Sequence, residues 1–109
     1  GEKTPFNADS GRINRYDGDG AWTRIDNKSG FPNLLNMSLR ITCIAVHPDD
    51  HDKVYVSLGG FFAGQKVYYS SNGGNSWTNL SGSLPNLPIF SLVVDANGNL
   101  YAGGDDGVF

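Results

Sequence analysis

The chain has 109 residues, 15 of them glycine, and its formal net charge at pH 7 is −3. This is the length of one ordinary domain, and its arginines and lysines are dispersed. Nucleic acid is therefore not an expected partner, because phosphate binding needs a clustered basic surface. No apolar run approaches the ~20 residues that a membrane-spanning helix requires, so no membrane span is predicted.

Short β-branched or aromatic runs bounded by turn residues predict strands, whereas apolar residues at helical spacing are nearly absent. The Asn97-Gly98 pair favours a tight hairpin, and Gly107 begins one further strand. The pattern predicts an all-β fold of antiparallel sheets. In chain order the predicted strands are residues 11–16, 22–25, 41–47, 53–58, 66–71, 77–80, 90–95 and 99–103.

An internal repeat organises these strands. Residues 11–23 align with residues 66–78, so that Asp17 falls on Asn72 and Trp22 on Trp77 at the same spacing. Downstream, the apolar strand that begins at residue 44 is echoed at residue 92, and Val54-Tyr55-Val56 is echoed by Leu100-Tyr101-Ala102. We therefore predict an N-terminal extension over residues 1–10, a first repeat over 11–65 and a second over 66–109.

The most distinctive segment is residues 70–77, with the sequence SSNGGNSW. It resembles the Asp-box of sialidase-like, xyloglucanase-like and sortilin-like proteins, whose pattern is Ser/Thr-x-Asp-x-Gly-x-x-Trp, with Asn72 in the place of Asp. Residues 15–22 keep Asp17 and Trp22 but have Arg15 for the hydroxyl residue and Asp19 for glycine. The resemblance implies about two four-stranded antiparallel blades of a β-propeller; an eight-stranded sandwich is the alternative.

In proteins with this box, the motif joins the third and fourth strands of a blade and lies away from the active site. The resemblance therefore implies structural roles rather than catalytic ones for the box residues. Asn or Asp accepts hydrogen bonds from the backbone of its own turn, glycine permits positive φ, and tryptophan supplies a large apolar surface. These residues are Asp17, Trp22, Ser70, Asn72, Gly74 and Trp77.

The opposite end of the strands is where the resemblance places a ligand. The loop of residues 59–65 lies there, and its adjacent aromatics Phe61 and Phe62, with Gln65, are the candidate ligand-binding residues. Neighbouring residues on an extended segment point in opposite directions, so one of the two rings is free to stack on a sugar or a protein.

Catalytic and metal sites find little support in the sequence. Asp105 and Asp106 are the only candidates for a hydrolytic carboxylate, and a polar turn explains them better. The set that the resemblance implies for a sialidase is incomplete, because the only glutamate is Glu2. The histidines and aspartates of residues 47–52 fit a solvated hairpin, so neither a metal nor another cofactor is predicted.

The expected function is that of a propeller module that binds a glycan or a protein without catalysis. Its expected location is extracellular or on the cell surface, and its expected source is bacterial. Two alternatives remain, a segment of a glycoside hydrolase and a sortilin-type peptide receptor. Two blades cannot close a ring, so further blades are expected partners. They come either from the rest of a longer chain or from other copies of this one.

Overall fold

The structure is a computed structural model, which describes residues 6–8, 12–18, 20–32, 34, 39–59, 64–82, 89–104 and 107–108. The fold is all-β, and every pairing between the strands of its sheets is antiparallel. The strands are β1 (Phe6–Ala8), β2 (Ile13–Gly18), β3 (Ala21–Arg24), β4 (Arg40–His47), β5 (Asp50–Gly59), β6 (Val67–Ser70), β7 (Thr78–Asn79), β8 (Ile89–Val94), β9 (Leu100–Gly104) and β10 (Gly107–Val108).

Within the described residues these strands form three sheets, each of which follows the chain order. Sheet I contains β1, β2 and β3, sheet II contains β4 to β7, and sheet III contains β8, β9 and β10. All eight predicted strands are present, and the strand expected at Gly107 is β10. The sequence does not predict β1, which lies within residues 1–10. Three residues carry too little periodicity to identify a strand, and β1 is defined by its pairing with β2.

Two apolar clusters hold the sheets together. The first joins sheets I and II and contains Ile13 of sheet I and Ile25 directly after β3, with Val54, Val56 and Leu58 of sheet II; all five side chains are inaccessible to solvent. The second joins sheets II and III. Its buried members are Tyr55, Val67, Ile89, Leu92 and Ala102. Burial of apolar area between neighbouring sheets is the main force that assembles them.

Sheets II and III share one register. Ala45 lies opposite Tyr55 in sheet II, and Val93 lies opposite Tyr101 in sheet III. Both sheets also have an irregularity at the same place, between Ile41 and Cys43 and between Ile89 and Ser91. The alignment of these strands in the sequence is therefore confirmed, and each residue of β8 has a structural equivalent in β4.

Sheets I and II are equivalent as well, but with a gap. The Ile25 amide donates to the Ile13 carbonyl at 2.9 Å, and the Leu80 amide donates to the Val67 carbonyl at 2.9 Å. Ile13 therefore matches Val67, whereas the ungapped sequence alignment pairs it with Tyr68. The box loop of the second copy is one residue longer, which the sequence comparison does not detect because both tryptophans keep the same spacing.

Asp26 fixes the edge of sheet I and gives a test of the fold. Its Oδ1 accepts a hydrogen bond from the buried Ile13 amide at 3.0 Å, and its carboxylate accepts hydrogen bonds from Nε and Nη2 of Arg24. Burial raises the pKa of Asp26, but the hydrogen bonds from Arg24 and Ile13 outweigh it, so that the net pKa is lowered.

We predict that Asp26→Asn destabilises the protein by about 2 kcal/mol at pH 7, the scale of a hydrogen bond to a charged group. Because the folded pKa is below the unfolded value of ~3.9, this stabilisation is complete above that pH and is lost as the pH falls through the folded pKa. Urea unfolding of both proteins from pH 7 to pH 2 measures the difference. If the difference in unfolding free energy between the two proteins stays constant down to the lowest pH, the ionised Asp26 is not the source of this stabilisation.

Candidate functional site

The box loop, residues 70–77, is held by the hydroxyl group of Ser70 at the end of β6. Ser70 Oγ accepts hydrogen bonds from the amides of Gly74 at 2.8 Å and Asn72 at 3.3 Å, and it donates to Asn72 Oδ1 at 2.8 Å. The side chain of Ser70 is buried. One hydroxyl thus satisfies two loop amides, which is the local reason for a hydroxyl residue at this position.

Asn72 closes the other half of the loop. Its Oδ1 accepts the Ser76 amide at 3.0 Å, and its Nδ2 donates to Ser76 Oγ at 2.8 Å. An aspartate can accept the same amide, and the Ser76 hydroxyl can donate to its second oxygen, so Asn72 takes the place of the motif aspartate and keeps both contacts. Both polar ends of the amide are used inside the loop.

The box loop also joins sheet II to sheet I. The Trp77 indole Nε1 donates to the Ile25 carbonyl at 3.0 Å, and the Trp77 amide donates to the Ser29 carbonyl at 2.8 Å. The Trp77 ring is buried, with its centroid 5.0 Å from that of Phe31. Gly74 lies directly against Ile25, at φ 93°. The loop is thus a junction between sheets rather than an open cleft.

Arg15 of β2 reinforces this junction. Its Nη1 donates to the Gly73 carbonyl at 2.9 Å and to Asn75 Oδ1 at 3.3 Å. Arg15 is aligned with Ser70 in the ungapped sequence comparison, but the strand register makes it equivalent to Tyr69, since Arg15 pairs with Thr23 and Tyr69 with Thr78. Its side chain reaches across to the second box. The sequence gives no sign of this contact, since 58 residues separate Arg15 from Gly73.

The first box folds differently from the second. Trp22 is paired with Tyr16 across the hairpin of β2 and β3, with a register shift between Tyr16 and Gly18. The Trp22 side chain is 53% exposed, and its ring lies 5.1 Å from that of Tyr16. In the described residues no sheet precedes sheet I, so Trp22 lacks the surface that buries Trp77. The side chain of Asp17 lies outside the described part of the structure, and its structural role stays a prediction.

The end of the sheets that carries the box loop also carries two hairpin turns. The Gly73 amide donates to the Asp52 carbonyl at 3.0 Å, which places the turn between β4 and β5 beside the box. A Cβ added to Gly98 would lie 4.0 Å from His47 Nε2, so the turn between β8 and β9 is there too. Both turns therefore lie at the box end of the sheets.

These turns are stabilised by their own backbone amides. His47 Nδ1 accepts the Asp49 amide at 3.1 Å, and Asp95 Oδ1 accepts the amides of Asn97 and Asn99. The Asn99 amide is the main reason that the pKa of Asp95 is lowered. Among the residues that the structure describes, no group of three or more His, Cys, Asp or Glu side chains is arranged to hold a metal ion.

Gln65 lies at the opposite end, before β6, and is tied to the sheet. The Tyr68 hydroxyl donates to Gln65 Oε1, and Asn79 Nδ2 donates to the Gly64 carbonyl at 2.7 Å and to the Tyr68 hydroxyl at 3.3 Å. Gln65 is half-buried. The C-terminal base of the loop is therefore fixed by Tyr68 and Asn79. The candidates Phe61, Phe62, Asp105 and Asp106 lie outside the described residues.

Lys66 is a residue that the sequence does not mark as special. Its side chain is inaccessible to solvent, and this burial lowers its pKa. Its backbone is fixed at both ends, since its amide donates to Ser81 Oγ at 2.8 Å and its carbonyl accepts the Leu58 amide at 2.8 Å. Lys66 begins the predicted strand 66–71, but lysine is almost never fully buried, so no sequence signal identifies its burial.

No helix in the described ranges is long and apolar enough to cross a membrane. Comparisons of the chain with protein-family models, with curated proteins and with solved structures found no match.

Proposed function

We propose that the chain is a segment of a β-propeller that binds a glycan or a protein at the end of its sheets opposite the box loop, without catalysis of its own. In this proposal the sheets are the blades; within the described residues sheet II has four strands, and sheets I and III have three each. Three sheets that stack through equivalent faces support successive blades more than the two sheets of a sandwich. The proposal keeps the extracellular or cell-surface location that the resemblance implies.

The contrast between the two ends of sheet II carries this proposal. At the box end, the polar groups of the loop and of the turn beside it form hydrogen bonds with each other and with sheet I. These bonds involve Ser70, Asn72, Arg15 and Asp52. At the other end, the segment that leads into β6 is fixed by Tyr68 and Asn79, and we place the ligand on the loop before it, which contains Phe61 and Phe62. Binding residues are commonly found on loops that a rigid scaffold positions.

The test compares binding by variants at the two ends. Fluorescently labelled protein is applied to a glycan array that includes xyloglucan and sialylated oligosaccharides, and the strongest hit is titrated by calorimetry. Phe61→Ala/Phe62→Ala is expected to weaken binding at least ~10-fold, which corresponds to ~1.4 kcal/mol. Loss of an aromatic contact that excludes water is of that size or larger.

Asn97→Ala is the matched control, since Asn97 is exposed in the turn between β8 and β9 at the box end. It is expected to bind as the unchanged protein does. Binding that survives loss of both phenylalanines but fails in the Asn97 variant places the ligand at the box end and contradicts the proposal. Release of reducing sugar from xyloglucan by the purified chain contradicts its non-catalytic part.

A further inference from the structure

Sheet III has an exposed apolar face formed by Phe90, Val93 and Tyr101, here called the trailing face. These side chains are 47%, 61% and 47% exposed, respectively. Val93 and Tyr101 are directly opposite each other on neighbouring strands. The other face of the same strands is buried against sheet II through Ile89 and Leu92. A patch of large apolar side chains on one face of a sheet is typical of a surface that another element covers.

In sheet II, the face equivalent to the trailing face is covered by sheet III. By register and by the shared irregularity, the counterparts of the trailing-face residues are Thr42, Ala45 and Tyr55. Tyr55 is only 7% exposed and Ala45 is half-buried, both beneath sheet III. Thr42 Oγ1 donates to the Ile89 carbonyl of sheet III. The same face is thus covered by the following sheet in sheet II and exposed in sheet III.

Sheet I has the complementary exposed face, formed by Tyr16 and Trp22 and here called the leading face. Side chains alternate along a strand, so these rings point away from Ile13 and Arg15, which face sheet II. The rings are 42% and 53% exposed. The face of sheet II that contacts sheet I carries Trp77, the aligned tryptophan of the second copy, and Trp77 is buried.

We infer that the trailing face of one copy of this chain docks on the leading face of a second copy, in a head-to-tail arrangement that continues the stacking of sheets I, II and III. The two internal sheet-to-sheet contacts already show this type of interface, and one chain carries both of its unoccupied halves. The two faces differ, so the contact is heterologous and continues until it closes a ring or forms a longer chain. This self-association goes beyond the proposed ligand binding and does not depend on it.

The experiment measures solution mass by light scattering after size exclusion, over a wide range of protein concentration. The unchanged protein is expected to exceed the single-chain mass of 11.7 kDa and to approach it on dilution. Val93→Lys on the trailing face and Trp22→Lys on the leading face are each expected to give a monomer. Both side chains are more than half exposed in the single chain, so each variant is expected to keep its fold.

Mixing the two variants gives the sharpest test. Each retains one intact face, so an equimolar mixture is expected to form a dimer and nothing larger. The control Asn97→Lys, at the exposed turn of the box end, is expected to associate as the unchanged protein does. Four results overturn the inference: an unchanged protein that is monomeric at every concentration, variants that still self-associate, a mixture that stays monomeric, or a control that dissociates. Circular dichroism spectra of all the proteins check that they are folded.

An unchanged protein that stays monomeric at every concentration rejects the proposal of a second copy. The array experiment changes residues 61 and 62, which belong to neither the leading nor the trailing face, so its outcome does not depend on this result. The two proposals therefore fail separately.

Discussion

Trp77→Ala is expected to lower the free energy of unfolding by about 3–5 kcal/mol, the cost usually found when a buried tryptophan is removed from a core. The Trp77 side chain is 6% exposed within the cluster that joins sheets I and II, and its ring lies 5.0 Å from that of Phe31 at an angle of 59°. Its indole is also the donor for the Ile25 carbonyl, which the substitution leaves without that partner. A loss of this size is a large part of the total stability of a small domain.

The matched control is Trp22→Ala, at the aligned position of the first box. Trp22 is 53% exposed and contacts Tyr16 within its own hairpin, so its removal is expected to cost about 1 kcal/mol or less. Urea denaturation, followed by circular dichroism at low protein concentration, measures both variants without a contribution from self-association. Equal losses at the two positions contradict the assignment of Trp77 as the residue that joins the sheets.

Gly74→Ala is expected to be the second most damaging change, with a loss of about 2–5 kcal/mol. Gly74 has φ 93°, in the left-handed region, where a side chain costs ~1–2 kcal/mol. In addition, its Cβ would lie 2.9 Å from the Ile25 Cβ, closer than real Cβ atoms approach. Relief of that overlap forces sheets I and II apart and costs a further ~1–3 kcal/mol.

Gly20→Ala separates these two contributions. Gly20 has φ 79°, but a Cβ there meets nothing within 4 Å, so only the backbone cost of ~1–2 kcal/mol is expected. Thermal and urea unfolding of both variants give the difference, which isolates the contact with Ile25. If the two substitutions cost the same, the close approach of Gly74 to sheet I does not contribute to stability.

The sequence alone determined much of the local structure. Strands were predictable because β-branched and aromatic residues recur between glycine-rich turns, and all eight predicted segments are strands. The hydrogen bonds within residues 70–77 and within the turn at Asp95 join residues that are close in sequence. Such contacts depend on local chemistry, so a motif of a few residues is enough to indicate them.

The tertiary structure decided the rest, because it depends on which surfaces meet. Trp22 and Trp77 occupy the same position in the motif, yet only Trp77 is buried, since it has sheet I to pack against. Arg15 was identified as a departure from the box pattern, but its bond to Gly73 appears only when the sheets are stacked. Periodicity assigns a residue to one face of a strand, whereas burial requires a neighbouring element whose position arises from long-range packing. The sequence by itself therefore determined the strands and turns of this protein, and only the tertiary structure decided which of their faces are covered.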